Sequence, residues 1–536
     1  EDYSLLSGLI PNFDKCKIKR IGSLKGTHFY LPCPLPIQWT DGPIDLLGIH
    51  IPVQFSDIIS INFDRKFTKI DKLLFPWKTK TLTLMGKVTL INTLIVSQFI
   101  YLLSSLPSPP PDFFVKYEKK IFRFLWGGGP ERVSRKSIYS AYEQGGLKLR
   151  NLRSVDLTLK ASWIPKLQLN REWFCSKFLF MSCSWLRTSL FPFVQLSVRD
   201  FDNFMGKNPP ITSFFRQVIQ YWLRFQLRPP EGVDEVKQQL LCLNSNICIG
   251  QKPFFSTAFD TGGVRFLNDI LDLENRFLSY ENFILKFGDV CTKLQYNQLI
   301  SAIPAHWKAL LKKASHILQV CMPICRDTTW LRKKLINKHL YLFFINDDKV
   351  CEPSYRIQLS WEELFNTPIP WRQVYCLPYK LTIDTYTRMF QFKTLFKFLT
   401  VNKTLYTWGL VDSPLCSLCH EEEETTIHLF WNCRIVANFW AEVEGWFFNL
   451  TKINLHMNAF NTVLGDLSDR CPVLSNLIIL LGKCYIFRYR KIHVDLSGFI
   501  SFVSYFQKLE FIIAQRKNKI QKHIGKWGKL HIVLSS

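Results

Sequence analysis

A chain of 536 residues, 47% of them hydrophobic, is long enough for roughly two to four domains with real cores, which excludes a disordered tail. Its formal charge of +25 calls for a polyanionic partner, nucleic acid before a membrane surface. Sixteen cysteines, scattered singly, are too sparse for a disulfide scaffold and fit a reducing compartment. The chain opens at Glu1 with no methionine and no charged-then-apolar leader, so neither a secretory nor a transit peptide is read, and a start truncated from a longer protein is expected. The longest apolar tract, Leu90 to Leu103, is interrupted by Asn92, Thr93, Ser97 and Gln98 and is too short to span a bilayer. No membrane segment and no membrane partner are expected.

Residues 1–62 alternate short β-like runs with turn signals, among them Asp41-Gly42 and the strand-like Leu46-Leu47-Gly48-Ile49, and read as the edge of an α+β domain. Asn62 to Trp77 is a basic helix candidate. Leu84, Val88, Ile91, Ile95, Phe99 and Leu102 then mark one face of a long amphipathic helix, which Pro107 and Pro109-Pro110-Pro111 end. Asp112 stands where an N-cap belongs, ahead of a second helix with Phe113, Tyr117, Ile121, Phe124 and Leu125 inside and Lys116, Lys119, Lys120 and Arg123 outside. A solvated basic face accounts for those charges; contact with a phosphate backbone is the sharper reading. Gly127-Gly128-Gly129-Pro130 is a turn, since no Gly-Lys-Ser/Thr follows it at phosphate-loop spacing. Arg132, Arg135 and Lys136 lie just beyond and join the candidate nucleic-acid contacts, and Gly145-Gly146 precedes an extended piece, Leu147 to Leu149.

Residues 166–385 are rich in Trp, Phe and Leu, with helical spacing in Trp307, Leu310, Leu311 and Ile317, and are expected to form a helical connector. Within them, Phe343-Phe344-Ile345 followed by Asp347 and Asp348 reads as a buried strand closed by a polar turn. Arg388 to Trp408 reads as a helix and turn. Next comes Cys416-Ser-Leu-Cys419, with His428 after eight further residues and Cys433 after four more. Three thiols and an imidazole supply the four soft donors of a tetrahedral structural zinc site and leave no position for a substrate water, which makes a zinc knuckle the expectation and zinc the cofactor. A continuous helix would point His428 and Cys433 roughly 140° apart, so the regular helix should begin near Asn432 or Cys433. Its apolar face is Val436, Phe439, Trp440, Val443, Trp446 and Phe447. Glu421 to Glu424 make the intervening loop acidic, and phosphate should avoid it.

From Lys483 onward eleven Lys and Arg face only Asp495 and Glu510, with Tyr485, Phe487, Tyr489, Phe499, Phe502, Tyr505, Phe506, Phe511 and Trp527 interleaved. Cations that release counterions beside rings that can stack make a generic RNA- or single-strand-binding surface, here assigned to Arg516, Lys517, Lys519, Lys522, Lys526 and Lys529. A packed helix with a solvated basic side is the alternative.

The order Ser7-Gly8…Asn12, Leu47-Gly48-Ile49, Trp77…Leu82-Thr83-Leu84-Met85-Gly86-Lys87, Phe122…Phe124-Leu125-Trp126-Gly127, Arg132 and Gly145-Gly146-Leu147 resembles the end of the palm and the thumb of the reverse transcriptase of vertebrate non-LTR (LINE-type) retrotransposons. Polyproteins of that family end in a Cys-Cys-His-Cys segment, which Cys416, Cys419, His428 and Cys433 match. The resemblance covers residues 1–165 and 386–536 and the middle only loosely. It implies a mainly α chain with a small α+β piece at the N-terminus: a palm remnant with a primer-grip-like hairpin (1–62), a thumb-like helical domain (63–165), a connector (166–385), a zinc-knuckle region (386–450) and a basic helical tail (451–536). The family's catalytic carboxylates would precede Glu1, so no catalytic residue is expected, although the intact relative is an RNA-directed DNA polymerase. The implied partners are RNA and an RNA–DNA or DNA template-primer, with no small-molecule substrate, in a ribonucleoprotein of cytoplasm and nucleus. A stand-alone zinc-dependent RNA-binding adaptor derived from a retrotransposon, or a gene fragment without function, are the alternatives.

Overall fold

The structure, a computed structural model, describes residues 8, 12, 16–20, 24, 27, 37–170, 172–182, 194–206, 211–226, 230, 232–313, 336–346, 355–468 and 472–535. It is mainly helical, and the strands among the described residues form three two-stranded pairs. β1 (Lys17–Lys19) and β2 (Gln38–Thr40) are parallel, whereas β3 (Ile44–Leu46) and β4 (Ile49–Ile51) form an antiparallel hairpin with Leu46 opposite Ile49. Leu47 and Gly48, read from the sequence as part of a strand, are instead its two-residue turn, both with positive φ (49° and 82°), the mirror-image turn that matches strand twist. The side chain of Asn62, in α1 (Ile58–Lys78), ties the hairpin down: it accepts from the His50 N–H at 2.8 Å and donates to the His50 carbonyl at 2.7 Å.

Thr83 caps the next helix by accepting from the Gly86 N–H at 3.1 Å. That helix, α2 (Leu84–Ser105), passes through one π-helical turn at Ile91–Ile95 and buries the expected face of Val88, Ile91, Ile95, Phe99 and Leu102. At 22 residues α2 is longer than the apolar tract read from the sequence, and by length and composition alone it could cross a membrane. Its buried stripe is that of a core helix. α3 (Pro111–Leu125) starts two residues earlier than expected: Pro111 takes the first helical position, where no N–H is needed, and Asp112 lies in the first turn instead of capping it.

The chain divides into two compact units that interleave along the sequence. The first comprises Glu1–Lys69, Ser97–Val115 and Asn151–Asp348. In it α4 (Leu152–Ala161), α5 (Ser213–Gln226) and α6 (Ile336–Asn346) share a core that includes Leu157, Val218, Trp222, Leu340 and Phe344. The strand read at Phe343-Phe344-Ile345 is therefore part of helix α6; a short apolar run has no period of its own, and Leu340 and Phe344, one helical turn apart, decide the matter by packing. Asp347, Asp348 and Ile317 lie outside the described residues. A second core in this unit, built on Val236, Phe259, Phe283, Tyr296 and Trp307, bears out the helical spacing of Trp307 and Leu311.

The second unit comprises Ile70–Val96, Lys116–Arg150 and Lys349–Ser536. Here α7 (Trp371–Leu381), α8 (Thr385–Leu395), α9 (Arg434–Thr451), α10 (Val473–Tyr489), α11 (Leu496–Arg516) and α12 (Ile520–Ser535) surround one core that runs from Cys416 and Cys433 through Trp440 and Tyr485 to Trp527 and Leu530. The knuckle and the basic tail thus share a single interior. At its centre α10 crosses α9 at Gly482, where a Cβ would stand 2.3 Å from the Trp440 ring. Next to it Lys483 is buried, with its ammonium donating to Gln391 Oε1 at 2.7 Å and the Val463 carbonyl at 2.8 Å.

Two outcomes follow from α10. Gly482→Ala forces the Trp440 ring aside and should lower the urea unfolding midpoint, a loss of about 1–3 kcal/mol. Burial pulls Lys483 down to about 7, below the ordinary lysine value of about 10.4. The folded state therefore gives up this proton first, so stability should climb with pH between those two values, by up to about 1.4 kcal/mol per pH unit. Unfolding of Lys483→Met across that window should lack the climb.

Candidate metal centre

Cys416 leaves a short two-stranded turn in which Leu415 bridges Glu423, the Cys416 N–H donates to the Glu422 carbonyl at 2.7 Å, and the Glu424 N–H donates to the Pro414 carbonyl at 2.8 Å. The Leu418 N–H points at the Cys416 sulfur (3.5 Å), and the His420 N–H closes the turn onto the Cys416 carbonyl (3.0 Å) with His420 at φ 57°. This is the loop that lets two cysteines three apart face one point.

The other two donors need a different device. Residues His428–Asn432 form a π-helical turn, and the Cys433 N–H donates to the His428 carbonyl at 2.9 Å, a five-residue bond in place of the usual four. Widening the turn and then breaking it at Cys433 (φ −64°, ψ 126°) overcomes the misalignment that a regular helix would impose. α9 starts directly after, as expected, with Cys433 as its N-cap.

The four ligand atoms lie within 4.8 Å of one another, and Cys419 Sγ is 3.3 Å from His428 Nε2. Zinc bonds of about 2.3 Å to sulfur and 2.0–2.1 Å to nitrogen make tetrahedron edges of roughly 3.5–3.8 Å, so this donor set fits such an ion. All four residues are buried, Cys416 and Cys433 completely. The N–H groups of Ile435 and Val436 and the Cys416 thiol all point at the Cys433 sulfur, and the bond from Cys416 does most to lower the Cys433 thiol. The same bond raises Cys416. Closure on all sides leaves the centre a scaffold.

The glutamates of the loop, read from the sequence as an acidic shield, are each engaged. Glu422 meets His428 Nδ1 at 2.8 Å, which turns Nε2 toward the sulfurs. Glu421 pairs with Arg434 at 2.7 Å and Glu423 with Lys403 at 2.6 Å. Glu424 is fully buried; it accepts from the Asn402 and Ser417 N–H groups at 2.9 Å each and from Arg490 Nε at 3.2 Å. Sequence reasoning missed Glu424 and Arg490 as the tie between the knuckle and the end of α10. One acidic residue in a run of four carries no local sign that it is the buried one.

The cations assigned to nucleic acid separate into two groups. Lys116, Lys119 and Arg123 are exposed on α3, and Lys120 is half-buried and paired with Asp71 at 2.6 Å. Arg132 stacks 3.7 Å over the Trp408 ring, Arg135 is held by Glu131 at 2.6 Å, and Lys136 is half-buried. In the tail, Arg516, Lys517, Lys519 and Lys522 are exposed around the α11–α12 junction, whereas Lys526 is largely buried on Glu510 at 2.5 Å. The side chain of Lys529 lies outside the described residues. Lys483 and Arg490, counted with the basic tail, are interior residues, and Tyr485, Phe499, Phe506 and Trp527 are core. The alternation of rings and cations there is helical amphipathicity, with Tyr505 the most exposed of the rings.

Metal analysis of reduced protein should give about one zinc per chain, falling in Cys433→Ser. Because protons compete for three thiolates and an imidazole, the ion should leave as pH falls. Chelation should expose the Trp440 environment to water, seen as a red shift of tryptophan emission; a stoichiometry well below one would contradict the site.

Residues 355–440, from the helix Tyr355–Phe365 through the cluster into α9, match a family described as zinc-binding in reverse transcriptase. The chain is also similar to the transposon TX1 uncharacterized 149 kDa protein of Xenopus laevis, with 32% identity over 130 residues, which is 24% of this chain and 10% of that relative. The matched stretch thus spans about a tenth of the relative's length. With the buried Cys-Cys-His-Cys cluster, these two matches relate the chain to the C-terminal region of a non-LTR retrotransposon reverse transcriptase.

Proposed function

We propose that this chain is the part of a LINE-type reverse transcriptase that holds RNA or a template-primer duplex, with its Cys-Cys-His-Cys centre binding zinc. The observation that carries the reading is that this closed cluster lies inside the segment similar to zinc-binding regions of reverse transcriptases. The β3–β4 hairpin, with Leu47-Gly48 at its tip, corresponds in this reading to the primer-grip end of a palm, and α1 to α3 to thumb helices. Residues 166–385 act as connector. The exposed cations of α3 and of the α11–α12 junction supply the grip, and the chain contributes positioning without nucleotide chemistry of its own. It works in a ribonucleoprotein, in cytoplasm and nucleus.

The physical basis is counterion release. Each phosphate neutralised by Lys or Arg frees condensed cations, so affinity depends steeply on salt and little on sequence. Fluorescence anisotropy with a labelled RNA and with an RNA–DNA duplex should show binding at 50 mM salt that falls off steeply toward 200 mM. No binding of either at 50 mM would overturn the proposal.

A further inference from the structure

Helix α11 has two apolar faces, and the fold covers one of them. Phe499, Val503 and Phe506 enter the core of the second unit with Trp527, and Glu510, the one acid of the helix, is buried where it accepts from Lys526 and Thr382. On the other side Tyr505, Leu509 and Ile512 are 62%, 42% and 46% exposed. Single exposed apolar residues are ordinary on a protein surface. These three are not scattered, because at 3.6 residues per turn they fall within an arc of about 60° on successive turns, over about 10 Å.

Steps of four and then three residues are those of a seam along which two helices interlock side chains. The half-buried Phe502, three residues before Tyr505, and the exposed Arg516, four after Ile512, keep the same rhythm, so the seam runs for two heptads. A lone polar residue in such a seam fixes register without preventing pairing. An RNA strand is a poor match for this face, since Leu509 and Ile512 are aliphatic and offer no ring on which a base could stack.

Charge decides which helix fits. Lys508 is exposed beside the seam and Arg516 lies on it, and the helix shows no exposed acid. A second copy of the chain would bring the same cations to the contact and no carboxylate to meet them, because Glu510 is spent on Lys526 in the interior. The complementary surface is an apolar seam bordered by Asp or Glu.

We infer that the Tyr505–Leu509–Ile512 face of α11 docks an amphipathic helix of a partner protein whose apolar seam is flanked by acidic residues. Tyr505, Lys508, Leu509 and Ile512 have no part in the nucleic-acid grip proposed above, so the two readings stand or fall separately.

The probe is a labelled three-heptad peptide with Leu at its seam positions and Glu beside them, titrated into the full zinc-loaded chain and followed by fluorescence anisotropy. Its flanking glutamates keep it from pairing with itself. Binding is expected. Leu509→Ser combined with Ile512→Ser, neutral changes at exposed positions, should weaken it about tenfold or more, while RNA affinity, zinc content and melting temperature keep their wild-type values. Lys508→Glu should weaken it about threefold and should favour a peptide carrying Lys in place of Glu. Equal affinity of the wild type for the Glu- and Lys-flanked peptides, or wild-type affinity in the double serine variant, would overturn the proposal. A wild-type dimer in sedimentation equilibrium that the double variant makes monomeric would give the face to a second copy instead. Loss of binding to phosphatidylserine vesicles, or to RNA, in that variant would give it to a membrane or a strand, and either result also sinks the partner helix.

Discussion

Four donor atoms within 4.8 Å of one another set the architecture of the second unit. They come from two kinds of local structure, a cysteine turn and a helix start, which Glu422 with His428 and Glu421 with Arg434 also join. In zinc-finger peptides such a centre contributes about 10–16 kcal/mol of folding free energy at neutral pH, comparable with the whole stability of a domain. Around it the chain has built a continuous interior. Leu429, Phe430 and Val436 belong to the same core as the ligands, Trp440 donates from its indole N–H to the Phe430 carbonyl of the π-helical turn at 2.9 Å and packs on Gly482 of α10, and α11 and α12 close the far side. Glu424 and Arg490 then join the loop to the end of α10, so that the position of the metal loop and that of the tail helices are one mechanical fact.

The distribution of charge follows from the same arrangement. A net +25 is an attraction to polyanions, but it does not say where an anion sits. Packing removes Lys483, Arg490 and most of Lys526 from the surface, pairs Glu421, Glu423 and Glu424 with Arg434, Lys403 and Arg490, and holds Glu422 on His428 by a hydrogen bond. Among the cations that remain exposed are Lys116, Lys119 and Arg123 on one side of α3, opposite its apolar face, and Arg516, Lys517, Lys519 and Lys522 at the α11–α12 junction, where cations also suit the negative end of a helix.

The sequence by itself determined the donor set, the start of α9 near Cys433 and the buried stripes of α2 and α9, because each is written in residues a few positions apart. Spacing of three, four or seven along a helix is local information, whereas the turn at Leu47-Gly48, inside a stretch read as strand, was settled by the pairing of β3 with β4. Only the tertiary structure decided which member of Glu421–Glu424 is buried, that Phe343-Phe344-Ile345 is helical, and that Tyr485, Phe499, Phe506 and Trp527 of the tail are core. Those outcomes depend on contacts between residues tens of positions apart, and burial, unlike periodicity, is a property of the neighbour as much as of the residue.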